Sequence, residues 1–335
     1  MQTLTEAQIK QKLAKLAMVS AEIGKVIVGQ RQVIDELLIS MLAGGHCLLE
    51  GVPGLAKTLM VSTLAQTLDL DFRRVQFTPD LMPSDIVGTE ILEEDHASGK
   101  RFFKFQQGPV FANILLADEI NRTPPKTQAA LLEAMQEKRV SYGGTTYDLP
   151  QPFFVLATQN PVEQAGTYRL PEAQLDRFLM FVRVGYPSRE DEMEILLRTT
   201  GDNPVELQTI LNGEDIVMLQ QLVRSVEVSP PLLAYITDLV RATRPDEAAD
   251  IGKIKTYVRW GAGPRAGQAL VLCSKAKALL DGRYAMTIDD IKAVAPAVLR
   301  HRILLNFQAE ADNISTDDVV SSLLDGVKLP QSPLA

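Results

Sequence analysis

Apolar and polar positions along this chain follow two regimes. Over the first two hundred residues, short apolar runs alternate with stretches of helical spacing. The runs HCLLE (46–50), DFRRVQF (71–77), NILLADEI (113–120), PFFVLATQN (152–160) and FLMFVRV (178–184) predict strands. The third is nearly all apolar, as a strand buried on both faces should be. LMVSTLAQTLDL predicts a helix after the first strand. KTQAALLEAMQEKR predicts another, with Thr123 as its cap and Pro124 in its first turn. RVSYGGTTYDL reads as a hairpin turning at Gly143 and Gly144. Strands alternating with helices predict a mainly parallel sheet covered by helices.

After Arg198 the pattern changes. TTGDNPVELQTILNGED is polar and carries Gly and Pro, and residues 201–225 are expected to be a linker. Beyond it only helical periodicity persists, in PPLLAYITDLVRATR, RAGQALVLCSKAKALLDG, IDDIKAVAPAVLR and TDDVVSSLLDGV. The expected organisation is an α/β core over 1–200 and a smaller all-helical domain over 226–335.

Composition narrows the partners. With 335 residues the chain can bury a sizeable core, and 46% hydrophobic and 23% charged residues are ordinary for a globular protein. No apolar run approaches the roughly 20 residues of a membrane helix, and the charged, amphipathic N-terminus does not read as a signal peptide. Two cysteines, Cys47 and Cys273, exclude a disulfide framework and suit a reducing, cytoplasmic setting. The three histidines show no metal-ligand spacing. A formal charge of −8 argues against nucleic acid as the main partner.

Two glycine-bearing stretches raise the question of nucleotides. GVPGLAKT (51–58) follows a strand and opens a helix, as the phosphate loop G-x-x-x-x-G-K-[ST] does. Gly51, Lys57 and Thr58 match, Gly54 supplies flexibility, and Ala56 stands where the second Gly belongs; small size is read as that position's main need. Such a loop, here Gly51, Val52, Pro53, Gly54, Leu55 and Ala56 leading into Lys57, Thr58 and Leu59, aims backbone N–H groups at phosphates. Lys57 would reach the β/γ-phosphates and Thr58 would ligate Mg²⁺. GAGPRAG (261–267) fits the dinucleotide pattern G-x-G-x-x-G/A, but the segment after its helix is again helical, so no βαβ unit follows.

Further polar residues stand at strand ends. NILLADEI closes on Asp118, placed to hold Mg²⁺ mostly through water, and Glu119, placed to polarise an attacking water. In ATQNP, Asn160 can hydrogen-bond that water or the γ-phosphate, or serve only the Asn-Pro turn. In LPEAQLDRF, Arg177 can pair with Asp176 in its own chain or project elsewhere. No N-K-x-D element for guanine is found, which favours adenine.

These residues together resemble the AAA+ ATPases, and more narrowly the MoxR family. The resemblance rests on VIVGQ (26–30), GVPGLAKT, LMPSDIVGT (81–89), GPVFANILLADEINR (108–122), ATQNP, LPEAQLDRF and GAGPRA, in the family's order over nearly the whole chain. Ala before the Lys is usual in this family. The resemblance implies a P-loop core with a helical lid, ATP and Mg²⁺ as ligands, and a homo-oligomer in the form of a hexameric ring. Val28 and its neighbours would border the adenine. Asn160 would be the first sensor, Arg177 an arginine finger for the next subunit, and Arg265 a second sensor reaching the γ-phosphate from the lid. The insertion before NILLADEI, with Phe102 and Phe103 near its tip, would face the pore. The aromatics of the following hairpin, Tyr142 and Tyr147, would serve local packing equally well.

The activity implied is ATP-driven remodelling or maturation of a client protein, together with a partner bearing a von Willebrand factor A domain. The alternatives are a nucleic-acid motor or loader, which the acidic balance disfavours, and a magnesium-chelatase-like subunit of similar architecture.

Overall fold

The computed structural model describes residues 6–94, 101–161, 166–201, 205–247, 251 and 254–330. Two helices lead in, α1 (Glu6–Ile23) and α2 (Arg31–Leu42). The core continues through β1 (Cys47–Glu50), α3 (Lys57–Thr67), β2 (Phe72–Gln76) and α4 (Pro83–Val87). A hairpin of β3 (Gly88–Glu94) and β4 (Arg101–Gln107) precedes β5 (Ile114–Asp118) and α5 (Pro125–Glu137). A second hairpin, β6 (Arg139–Tyr142) and β7 (Thr145–Asp148), leads to β8 (Phe154–Gln159), α6 (Glu172–Leu175), β9 (Met180–Arg183) and α7 (Arg189–Thr199). The remainder is α8 (Gly213–Ser225), α9 (Pro230–Ala242), α10 (Ile254–Tyr257), β10 (Val258–Trp260), α11 (Pro264–Leu280), α12 (Ile288–Leu299), β11 (Leu304–Leu305), α13 (Phe307–Ala311) and α14 (Thr316–Gly326).

Five strands form a parallel sheet in the order β2-β5-β8-β1-β9. Their apolar residues serve both faces with period two. Leu49, Leu116, Leu156 and Val182 enter one buried cluster, while Leu48, Leu115, Val155 and Ala157 enter the other. The first cluster runs without a break into the C-terminal helices through Leu239, Leu270 and Val294. Lid and core therefore share one hydrophobic interior.

Three expectations are corrected. Residues 213–225 of the supposed linker 201–225 form α8, capped by Asn212, whose side chain accepts from the Asp215 amide at 2.9 Å. Its Ile216, Leu219 and Val223 are buried, a helical spacing outweighed in the sequence by the polar Gly/Pro stretch just before it. The helix after NILLADEI begins at Pro125 with Pro124 as its N-cap, and Thr123 does not cap it. A short 3₁₀ turn over Ile120–Arg122 takes up the residues in between. The C-terminal region is not purely helical, because β10 and β11 pair as a small antiparallel ribbon. The glycine of GAGPRAG serves a close approach: a Cβ at Gly261 would sit 2.5 Å from the Thr243 carbonyl oxygen. Arg265 lies in the first turn of α11, as expected.

The insertion hairpin is held by aromatic stacking. Phe105 lies 4.5 Å from Tyr147 and 5.2 Å from Tyr142, ring centre to ring centre. Tyr142 and Tyr147 therefore pack locally, whereas Phe102 and Phe103 are exposed. The turn of the second hairpin has Gly143 and Gly144 both at positive φ, as a two-residue connection requires. The tip at 95–100 lies outside the described residues.

Buried His46 joins three elements at the start of β1. Its Nδ1 accepts the Val155 amide at 3.0 Å, so the proton sits on Nε2, which donates to the Met135 carbonyl at 3.0 Å. Burial lowers its pKa from 6.5 to about 4. Between those values the unfolded chain binds the extra proton, so this contribution to stability is complete above the unfolded value and drains as pH falls. Half-buried His301 shifts in the same direction, through desolvation and the neighbouring Arg302. Chemical denaturation at about pH 7 and about pH 5 should show a loss of about 2 kcal/mol through His46. The loss should be smaller by that amount in His46→Gln; an equal loss in both proteins would clear His46 of the role.

Candidate active site

The carboxyl ends of β1, β5 and β8 bring together most of the predicted residues. Gly51 follows β1, and a Cβ there would lie 2.9 Å from the Val184 carbonyl oxygen, so the glycine is required by space. Gly54 has open surroundings but φ +87°, so conformation requires it. Ala56 also has a left-handed backbone, φ 53°. Gly in the general pattern therefore answers a demand for positive φ here, more than for small size. Val52, Pro53 and Leu55 complete the loop, with Leu55 packed against the core. The first helical hydrogen bond of α3 runs from the Met60 amide to the Ala56 carbonyl at 2.9 Å. The amides of Lys57, Thr58 and Leu59 precede it and are donors available to an anion at a helix start.

The Lys57 ammonium donates to the Gly51 carbonyl at 2.7 Å. Partial burial lowers its pKa, and the carboxylates of Asp118 and Glu119 oppose that shift, so all three share one electrostatic neighbourhood. Val28 is half-buried, and two residues further along the chain Gln30 reaches across to donate to the Gly185 carbonyl at 3.0 Å. Gly185 follows Val184, the residue against Gly51, so VIVGQ borders the loop.

The acidic pair is organised by a residue to which the sequence assigned no role. Thr158 Oγ1 donates to Asp118 Oδ1 at 2.7 Å and accepts the Glu119 amide at 2.8 Å. Arg74, on the neighbouring strand, holds Asp118 Oδ2 at 2.6 Å. Gln76 donates to Glu119 Oε2 at 2.7 Å, and Arg122 lies 3.1 Å from the same oxygen. Glu119 itself has φ 58°, a strained backbone of the kind that collects at functional sites. Thr158 lies within ATQNP, two residues before the buried Asn160. Its signal was a hydroxyl on an otherwise apolar strand, facing the acidic pair one strand away.

The donor set suits nucleotide and metal together. Among the described residues no cluster of three or more His, Cys, Asp or Glu could hold a metal ion. A hydroxyl (Thr58), one carboxylate (Asp118) and phosphate oxygens are the arrangement Mg²⁺ takes with a nucleotide.

Arg177 and Arg265 are not in this group. Both line a cavity of about 270 Å³ with Gly45, His46 and Asp176, before the first residues of β1 and β9. Three residue steps of β1 at about 3.3 Å each already separate the two ends of the sheet by about 10 Å. The expectation that Arg265 grips its own chain's nucleotide does not match this placement. Asp176 pairs with Arg302 at 2.8 Å and with Arg265 at 3.7 Å, while Arg177 is exposed. Arg302 is buried, which lowers its pKa against the pull of Asp176, and it also donates to the Phe178 carbonyl at 2.8 Å. With Arg300, which donates to the Phe181 carbonyl at 2.9 Å, it clamps the lid onto the open edge of β9.

Comparison with known proteins agrees with this architecture. Residues 46–180 match the model of the ATPase family associated with various cellular activities (AAA), and 253–323 match the AAA lid domain. Chaperone MoxR1 of Mycobacterium tuberculosis is 47% identical over 92% of this chain and 81% of its own length. Protein MoxR of Paracoccus denitrificans is 33% identical over 85% of this chain and 87% of its own. A solved structure from Cytophaga hutchinsonii has a TM-score of 0.89 at 47% identity, covering 97% of this chain and 98% of that one. No helix among the described residues is long and apolar enough to cross a membrane. With its phosphate loop, acidic strand end and helical lid in one frame, the chain belongs to the MoxR family of AAA+ ATPases.

Proposed function

We propose that this chain binds ATP with Mg²⁺ at the carboxyl end of its sheet and hydrolyses it in a head-to-tail assembly, where the neighbouring copy supplies Arg177 and Arg265. The observation that carries the reading is the network Arg74–Asp118–Thr158–Glu119 set beside Lys57 and the open amides of α3. The loop from Gly51 to Ala56 cradles the phosphates, and Lys57 exchanges the Gly51 carbonyl for phosphate oxygens. Thr58 and Asp118 would hold Mg²⁺, which when bound would offset the negative charge of the phosphates. Glu119 and Asn160 orient the water that attacks phosphorus, and Glu119 polarises its O–H as the bond to the ADP oxygen breaks. Charge developing on the γ-phosphate is met by arginines from the next copy. The energy released serves remodelling or maturation of a client protein, the class to which a relative named a chaperone points. A partner with a von Willebrand factor A domain fits this reading. Stimulation of turnover by such a partner, and not by single-stranded DNA, would separate it from a nucleic-acid motor.

Removing the Lys57 charge should weaken ATP binding by about 10- to 100-fold in Lys57→Ala, given about 1.5–3 kcal/mol for hydrogen bonds to charged groups. Calorimetric titration reads this directly, and unchanged affinity would exclude the loop. Glu119→Gln should retain ATP while turnover falls by about 10²–10⁴. Rapid turnover by that variant would overturn the role of Glu119. Thr158→Val should lower kcat with little change in affinity, because Thr158 positions the carboxylates without touching the nucleotide.

The arginine assignment has its own test, made with inactive variants mixed under conditions of shown subunit exchange. Lys57→Ala with Arg177→Ala should regain activity, since about a quarter of random interfaces in a head-to-tail ring combine an intact loop with an intact finger. Arg177→Ala mixed with Arg265→Ala separates two geometries. If both arginines come from one neighbour, every interface lacks one of them and the mixture stays inactive. If Arg265 serves its own chain, activity returns and the assignment of Arg265 to the neighbour falls.

A further inference from the structure

Among the described residues, two surfaces of this chain are unpartnered and complementary. The first is helix α7, none of whose residues is fully buried. Its inner side is fixed by Arg198, which donates to the Lys25 carbonyl at 2.7 Å, and by Asp191, packed against Gly29. Its outer side carries Met193, Leu196 and Leu197, which are 50%, 61% and 77% exposed. These stand at helical spacing i, i+3, i+4 and form one apolar stripe. Glu190, Asp191, Glu192 and Glu194 set four carboxylates against Arg189 and Arg198 on the same helix.

The second surface is a groove of about 750 Å³ between α9 and α11. Leu233, Val271 and Leu272 give it an apolar lining, and Arg224, Arg241 and Arg244 stand around it. Arg241 and Arg244 share one carboxylate, Glu247. The groove is thus apolar within and basic at its rim, while α7 is apolar and acidic.

The two surfaces cannot meet within one chain. Helix α7 leaves the carboxyl end of β9 just after Gly185, beside the phosphate loop. The groove shares Gln268 and Leu272 with the cavity that holds Arg177 and Arg265, at the opposite end of the sheet. Between two copies, the same separation makes the contact heterologous and repeatable.

We propose that α7 of one copy docks, as an amphipathic helix in a groove, between α9 and α11 of the next copy. Met193, Leu196 and Leu197 fill the apolar lining, and Glu190 and Glu192, which flank the stripe, meet the arginine rim, while Asp191 and Glu194 stay engaged on the inner side. The contact carries Arg177 and Arg265 towards the phosphate loop beside which α7 begins. It rests on the head-to-tail reading above and gives that reading its attachment point.

Because Cys47 and Cys273 are both fully buried, introduced surface cysteines can be addressed selectively. Leu197→Cys and Thr237→Cys place one thiol on the stripe and one in the groove. A short bismaleimide, added with a non-hydrolysable ATP analogue, should join an equal mixture of the two into covalent dimers and leave each alone unlinked. The double variant should give a ladder of linked oligomers. Arg241→Glu should lower assembly at least tenfold in sedimentation, and adding Glu192→Arg should restore part of it. Nucleotide binding is measured in parallel on each protein. A chain that binds the analogue and assembles without cross-linking overturns the docking, as does one that binds it and stays monomeric, and both leave the nucleotide site standing. Loss of binding itself would strike the nucleotide reading. Links between identical single variants would show a symmetric contact and also overturn the docking.

Discussion

A buried guanidinium fixes where the two halves of this protein stand. Arg302 is 4% exposed in its side chain, and its charge is met by Asp176 and by main-chain carbonyls just before β9. Removing one partner of such a pair leaves an uncompensated buried charge, at a cost of about 3–5 kcal/mol. Arg300 and His301 add bonds to the carbonyls of Phe181 and Phe178. The edge strand β9 is thereby covered by side chains of the lid, which also closes it to pairing with another strand. Because the clamp lies at the amino end of β9, α11 begins there too. Its first-turn Arg265 then faces away from the phosphate loop of its own chain.

That constraint explains why the site is complete in one respect and divided in another. Binding groups arise from strand ends and one helix start, all at the carboxyl end of the parallel sheet. Two of them, Ala56 and Glu119, adopt left-handed backbones that non-glycine residues rarely take. Such geometry persists only where neighbours enforce it, and the Glu119 amide is held by Thr158. The arginines arise from the opposite end, where an exposed Arg177 has its own Asp176 engaged by other cations.

Much of this was legible from sequence because it is local. Five strands, the loop Gly51–Thr58 and the pair Asp118–Glu119 each depend on a few adjacent residues with a characteristic period or spacing. What escaped was long-range or masked by composition. Helix α8 was hidden by the polar stretch that precedes it, and Thr123 looked like a cap where a 3₁₀ turn displaced the helix start. The Gly261 requirement came from Thr243, eighteen residues earlier. The placement of Arg265 could not be read from GAGPRAG at all, since it depends on where Arg302 anchors the lid. At Ala56 the residue was noticed but its demand misjudged, because φ is invisible in a one-letter string.

The aromatic stack on the opposite side of the sheet has a mechanical meaning. Phe105 of the insertion hairpin lies against Tyr142 and Tyr147 of the next one, so the two hairpins form a single stiff arm. That arm is joined to α5 through Lys138, a one-residue joint with φ 54°. At its other end α5 follows the turn that begins beside Glu119, and Arg122 within that turn touches the Glu119 carboxylate. The Glu119 carboxylate is thus joined to the exposed Phe102 and Phe103 by one continuous route of contacts through the turn, α5 and the paired hairpins, along which any rearrangement at the carboxylate would have to travel.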